Sequence, residues 1–211
     1  MAPDELGISV LKSAVSSEAK DIAVEWSQFG IEKLLAEGAL KDAPMLGTVV
    51  KICTMTKTIR DHLFMRKVLD FLRACPQFND LEKMGFAREH LSDPEKIKKL
   101  GDTMVLILDK LDDLEKAEIL AKLFAALVRK HIDYSDFRRL AAGVDRAFIE
   151  DLKILAAQSP RLEHNKESFL ILLEPMGFVH TGGGVSRLGA LGSRTDISPL
   201  GKLFQKCMAE A

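Results

Sequence analysis

The chain has 211 residues, 47% hydrophobic and 29% charged, a balance that supports a globular domain with a real core and excludes disorder along the whole length. With 30 basic and 31 acidic residues the formal net charge is -1, so no global field draws the protein to DNA, RNA or an anionic membrane. Only 6% of residues are aromatic, which leaves little material for a stacking platform on single-stranded nucleic acid.

The N-terminus, MAPDELGISVLKS, is acidic where a secretory signal is basic, and it has no apolar run before a small-residue cleavage site, so secretion is not expected. Ile22, Trp26, Phe29, Leu34 and Leu35 predict a helix from about Ser16 to Glu37, stopped by Gly38 and extended backward by residues 4–15. In the next region Pro44 opens a helix and Pro76 ends one, with a bend between them. Its first part, residues 44–56, is apolar and β-branched and is interrupted only by Lys51. Too short to span a bilayer, it reads as a buried helix, with an interfacial, membrane-active helix as the alternative. Lys57, Arg60, Arg66, Lys67 and Arg73 follow directly. Cations beside an apolar stretch form a docking pattern for an acidic partner or a membrane surface, and these five are candidate partner-binding residues. The plainer reading is that they form the wet face of an ordinary helix.

A short helix near residues 80–91 leads to Asp93-Pro94, an N-cap followed by proline at the first helical position. Three sharply periodic segments then fill residues 96–155. Ile97, Leu100, Met104, Ile107, Leu108 and Leu111 mark the first, and Leu114, Ala117, Leu120, Ala121, Phe124, Leu127 and Val128 the second. Phe137, Leu140, Ala141, Val144, Phe148, Leu152 and Leu155 mark the third as one continuous helix. Each stripe predicts a helix with one face to bury and one to keep wet, and the short links predict an antiparallel triplet. Asp112 with Glu115 reads as a capping box, and Asp133 or Ser135 caps the third helix. Asp109, Asp112, Asp113, Glu115 and Glu118 crowd the first corner. Without Glu-x-x-His pairs they read as caps and solvated turns rather than a di-metal site, with Lys110 and Lys116 softening their repulsion.

After Pro160 glycine becomes concentrated. A short apolar helix ending near Pro175, a strand-like Phe178-Val179-His180, a glycine-rich excursion and a strand running into a terminal helix follow in order. The expected fold class is therefore mainly α: a helical bundle over residues 1–158, with N-terminal helices in 4–75 and a three-helix core in 93–158, and a small appendage over 159–211 carrying a β hairpin. Leu170, Leu173, Gly177, Phe178 and Val179, then Ile197, Ser198, Leu200, Gly201 and Phe204, resemble the last part of a winged-helix module. That resemblance implies a regulator binding duplex DNA, although Glu163, Glu167 and Glu174 stand on the preceding helix where base-reading side chains are expected. Gly184 and Gly189 have phosphate-loop spacing, but Ala190 and Leu191 replace the required Lys and Ser or Thr. The segment reads as an exposed loop whose Arg187 and Arg194 are further candidate partner-binding residues.

His62, His90, His131, His164 and His180 are scattered, with no nucleophile framed beside them. Cys53, Cys75 and Cys207 lack metal-site spacing and read as reduced thiols of a cytoplasmic protein; Arg73 near Cys75 lowers its pKa, but no base is placed for catalysis. No cofactor and no catalytic residue is expected. The run LILDKLDDLEKAEILAKLFAALV followed by IDYSDFRRLAAGVDRAFIEDL, with APMLGTVVKICTMTKTIRDHLFMRKVLDFL before it, resembles a group of uncharacterised helical proteins of bacteria and their phages, over roughly residues 40–155. The layout also resembles abortive-infection alpha proteins, which combine helices with a C-terminal winged-like tail. These resemblances imply a role in conflict between bacteria and phage and assign no functional residue. The expected function is non-enzymatic binding of a macromolecule, a protein partner or a second copy first, with duplex DNA or peripheral membrane contact as alternatives.

Overall fold

In the computed structural model, which describes residues 3–17, 21, 58–157, 170–185 and 191–210, the chain is mainly α-helical with one two-stranded antiparallel hairpin near its C-terminal end. Helix α1 spans Pro3–Ala14. Val15 leaves the helix and the Ser16 N–H closes a turn on the Ser13 carbonyl, so residues 4–15 form a helix of their own rather than an extension. Most of the helix expected over 16–37, and all of residues 44–56, lie outside the described residues.

Local chemistry sets most boundaries. Helix α2, Ile59–Ala74, is opened by a reciprocal cap: the Thr58 hydroxyl accepts from the Asp61 N–H and the Asp61 carboxylate accepts from the Thr58 N–H. It stops before Pro76, as expected. Helix α3, Asp80–Phe86, carries the same kind of cap from Asn79 and Glu82 and runs on into a π-helical turn, Ala87–Leu91. Helix α4, Pro94–Lys110, has Asp93 as N-cap and proline in its first turn. Helices α5, Glu115–Val128, and α6, Tyr134–Arg146, follow, with Asp133 capping the latter.

The third periodic segment is two helices. Ala147 adopts an extended conformation after α6, and α7 begins anew at Ile149–Ala157. Phe148, expected in the buried stripe, sits at that corner with 65% of its surface exposed, while Leu152 and Leu155 resume burial on α7. Periodicity persists across the break because two helices can continue one apolar pattern around a bend.

The triplet also packs differently from a simple hairpin series. Ten of the fourteen residues of α5 are buried, including Leu123, Ala125 and Ala126 beyond the expected stripe, because α2, α3, α6 and the C-terminal helix all lie against it. Phe124 is the hub of an aromatic cluster: Phe71, Phe78 and Phe86 each meet its ring edge to face, at 5.7, 6.5 and 5.5 Å. Helix α4 makes its closest approach to α1 instead. There Gly7 and Gly101 face each other, and a Cβ built on Gly7 would fall 2.4 Å from the Gly101 carbonyl carbon, so the two backbones touch only because both positions lack side chains.

After a 3-10 turn at Ile171–Leu173, strands β1, Val179–Val185, and β2, Leu191–Ile197, pair from Val179 opposite Ile197 to Val185 opposite Leu191. Helix α8, Pro199–Ala209, begins at an N-cap, Ser198, whose hydroxyl accepts from Gly201 N–H. The hairpin and terminal helix expected from the sequence are present. Their described residues are continuous with the helical core: Leu170, Leu173, Phe178, Ile197 and Phe204 join it, and the Phe178 ring occupies the space that a side chain at Gly143 of α6 would fill.

Helix C-termini leave carbonyls without intrahelical donors, and here side chains of distant elements supply them. Lys67 donates to the Asp109 carbonyl at the end of α4, and Lys116 to the Asp145 carbonyl at the end of α6. Gln205 donates to Leu155 in α7, and Arg129 to Glu210 just beyond α8. Cationic donors there also complement the negative end of each helix dipole.

Candidate functional site

The basic region now has a geometry. On a helix of 3.6 residues per turn, positions 59, 63, 66, 70 and 73 fall along one line, and positions 65, 68 and 72 lie on the other side. Met65, Val68 and Leu72 are buried. Ile59, at 81% exposed, and Leu63, at 49%, lie on the outer line with Arg66, and Arg60 flanks them. The outer face of α2 therefore begins as two apolar side chains one turn apart and continues as a ladder of charge.

That ladder is partly consumed by the fold. Arg60 donates to the Asp109 carboxylate at 2.6 Å. Lys67 is bound to the Asp109 carbonyl at 2.9 Å, and burial lowers its pKa from the usual lysine value. Arg73 reaches Glu118 of α5 at 3.0 Å and Asp70 at 3.4 Å. Asp70, whose own burial pushes its pKa up against the pull of Arg73 and Arg66, lies 4.0 Å from Arg66. Acids that looked like solvated turns, Asp109 and Glu118, are thus the counter-ions of cations that looked free. Arg66 is the candidate with its side chain most fully in solvent after Arg60, whose head group is already engaged. Lys57 and Arg187 lie outside the described residues; Arg194 pairs through its backbone with Gly182 in the hairpin, and its side chain is likewise outside them. The two candidate groups are not brought together by any described contact.

The acidic corner holds a residue that sequence reasoning misplaced. Lys116, expected only to soften the repulsion among solvated acids, is 1% exposed, and its ammonium binds Asp112 at 2.5 Å and the Asp145 carbonyl at 3.0 Å. Asp112 is therefore no capping-box residue; the α5 N-terminus takes Asp113, which accepts from Glu115 N–H. The hydrogen bond from Lys116 is the main reason that the Asp112 pKa lies below its ordinary value. A signal for this existed: Lys116 stands four and eight residues before the core positions Leu120 and Phe124.

Concave surface is modest. A cleft of about 390 Å³ between α5, α7 and α8 has an apolar floor that includes Ile119, Leu152 and Met208, and on its rim Lys153 bridges Glu115 at 2.7 Å and Glu150 at 3.2 Å. A smaller one, about 260 Å³, lies beside the π-helical turn. Among the described residues no three His, Cys, Asp or Glu side chains gather to hold a metal, and no helix is long and apolar enough to cross a membrane. Cys75 is buried, and burial raises the Cys207 thiol to about 11, so Cys207 presents no thiolate to solvent at neutral pH. Compared with protein-family models, with curated proteins and with solved structures, the chain matches none.

Proposed function

We propose that this protein acts without catalysis, by docking a protein partner on the outer face of α2. One observation carries the reading: Ile59 and Leu63 stand exposed one turn apart, in line with Arg66 and beside Arg60. Lone exposed apolar residues are ordinary, but a pair at helical spacing edged by cations matches a partner segment that is apolar on one side and acidic on the other. Lys67 and Arg73 serve α4 and α5, so among the described residues specificity falls to this short stretch. A setting in the conflict between bacteria and phage rests on the family resemblance alone.

The test is affinity capture and cross-linking from the native cell with wild type and an Ile59→Asp/Leu63→Asp variant, both checked for folding by circular dichroism. Loss of the same captured protein from the variant supports the reading, and an unchanged catch overturns it. Sedimentation over a range of concentrations identifies a second copy as the partner. Salt-dependent binding of duplex DNA, weakened by changing Arg187 and Arg194, would instead favour the regulator alternative, and co-sedimentation with anionic vesicles the membrane alternative.

A further inference from the structure

We propose that the cleft beside the π-helical turn binds a small phosphate-bearing ligand. Its walls are Glu89 and His90 of the turn, Lys96, Lys99 and Leu100 of α4, and Tyr134 at the start of α6. At about 260 Å³ it lies just below the usual range of small-molecule sites and suits a phosphate group with a short carbon body.

The charge pattern selects an anion. Among the described residues Lys96 and Lys99 form no ion pair, although the chain as a whole is balanced in charge. Lys99 lies 5.8 Å from the centre of the Tyr134 ring, which Arg138 approaches at 5.9 Å. Glu89, the one carboxylate among the described wall residues, is neutralised by Lys130 at 2.9 Å, and that bond is the main cause of its lowered pKa. Two ammonium groups acting as point charges match a doubly charged tetrahedral anion better than a planar carboxylate, which favours the fork of an arginine.

Hydrogen-bond bookkeeping assigns the other roles. The Thr103 hydroxyl donates its proton to the Lys99 carbonyl at 2.8 Å, so the Tyr134 hydroxyl, 2.9 Å away, is the donor in their mutual bond. Tyr134 thus has no proton left for a ligand and serves as a fixed wall, with Leu100, for the ligand's carbon body. His90 is largely buried, which lowers its pKa and favours the neutral ring, and that ring has one N–H to offer.

Backbone geometry marks the same place. π-Helical turns recur at functional sites, and this one presents both Glu89 and His90 to the cleft. Lys130 has φ of 61°, in the left-handed region, at the position after α5 where glycine ordinarily closes the helix. The closing bonds are complete, from Lys130 N–H to Leu127 and from His131 N–H to Ala126. A lysine held in that conformation, with its ammonium on Glu89, removes the repulsion that an anion would meet at this wall.

Titration of the full-length protein with inorganic phosphate and with phenyl phosphate, followed by calorimetry and by NMR of the His90 ring and Lys99 amide, tests the proposal against sodium chloride at matched ionic strength. Saturable binding is expected for both, tighter for phenyl phosphate. Lys96→Gln/Lys99→Gln should weaken it by about tenfold or more, equivalent to about 1.4 kcal/mol. Glu89→Gln should tighten it, and Lys122→Gln, in the other cleft, should leave it unchanged. No saturable shift at His90, equal affinity in the double lysine variant, or weaker binding in Glu89→Gln would each overturn the assignment. Because α2 contributes nothing to this cleft, the result is independent of the partner-docking reading.

Discussion

The two ends of α5 each place a lysine beside a carboxylate, and the two pairs do opposite things. At the N-terminal end the ammonium of Lys116 is sealed from water and divides its bonds between Asp112 and the last turn of α6, joining two corners of the fold. At the C-terminal end Arg129, Lys130 and His131 lie consecutively and fan outward, Arg129 to Glu82 of α3, Lys130 to Glu89 of the π-helical turn and His131 to Glu210 after α8. One end uses a buried charge to fix geometry; the other uses surface charge and a strained backbone to arrange an edge. The lesson is that an ion pair's worth depends on what its removal leaves behind. A lost surface pair returns both groups to water, whereas a lost buried donor strands a carbonyl.

The largest expected effect follows from that difference. Lys116→Ala should destabilise the protein by about 3 kcal/mol, the sum of three buried methylenes and one unsatisfied carbonyl, read from chemical denaturation. Lys116→Met keeps most of the stem and should cost about 1 kcal/mol, chiefly the bond to the Asp145 carbonyl. If the two variants were equally destabilised, the hydrogen bonds and not the packed stem would be the principal contribution. Lys130→Gly should go the other way and stabilise by about 0.5 kcal/mol, since relief of the left-handed strain exceeds the loss of an exposed ion pair. A loss greater than about 1 kcal/mol would make the Glu89 pair structural and erase the contrast between the two ends.

The smallest effect concerns acid. The folded-state pKa of Asp112 is depressed, so its contribution is fully present above the ordinary carboxylate value of about 3.9 and is lost as pH falls through the folded value. Because the Asp112 side chain is 72% exposed, the change should be slight. Acid titration of wild type against Lys116→Met should show a shallower loss below about pH 4 in the variant. Parallel curves would mean that the pair contributes nothing to acid stability.

Much of the framework was legible. The stripes of α4, α5 and α6, the caps at Asp93 and Asp133, the stop at Pro76 and the terminal helix after Ser198 all depend on neighbours within a few residues, and sequence displays such neighbours directly. The corner at Ala147 was not, because a stripe that continues around a bend keeps its period. The docking cations were read as a group, yet Arg60, Lys67 and Arg73 find partners 42 to 49 residues away. The cleft by the π-helical turn escaped notice because His90, Lys96, Lys99 and Tyr134 form no spaced motif; they meet only when the π-helical turn, α4 and α6 pack.

The amino-acid sequence by itself determined the helical class, most element ends and the apolar positions of the core, since those follow from periodicity, capping and backbone constraint acting over one or two turns. Tertiary structure decided which charges are consumed and which remain for a ligand. A side chain's cost or use depends on its burial and on the groups that face it, and both arise only when distant helices are brought into contact.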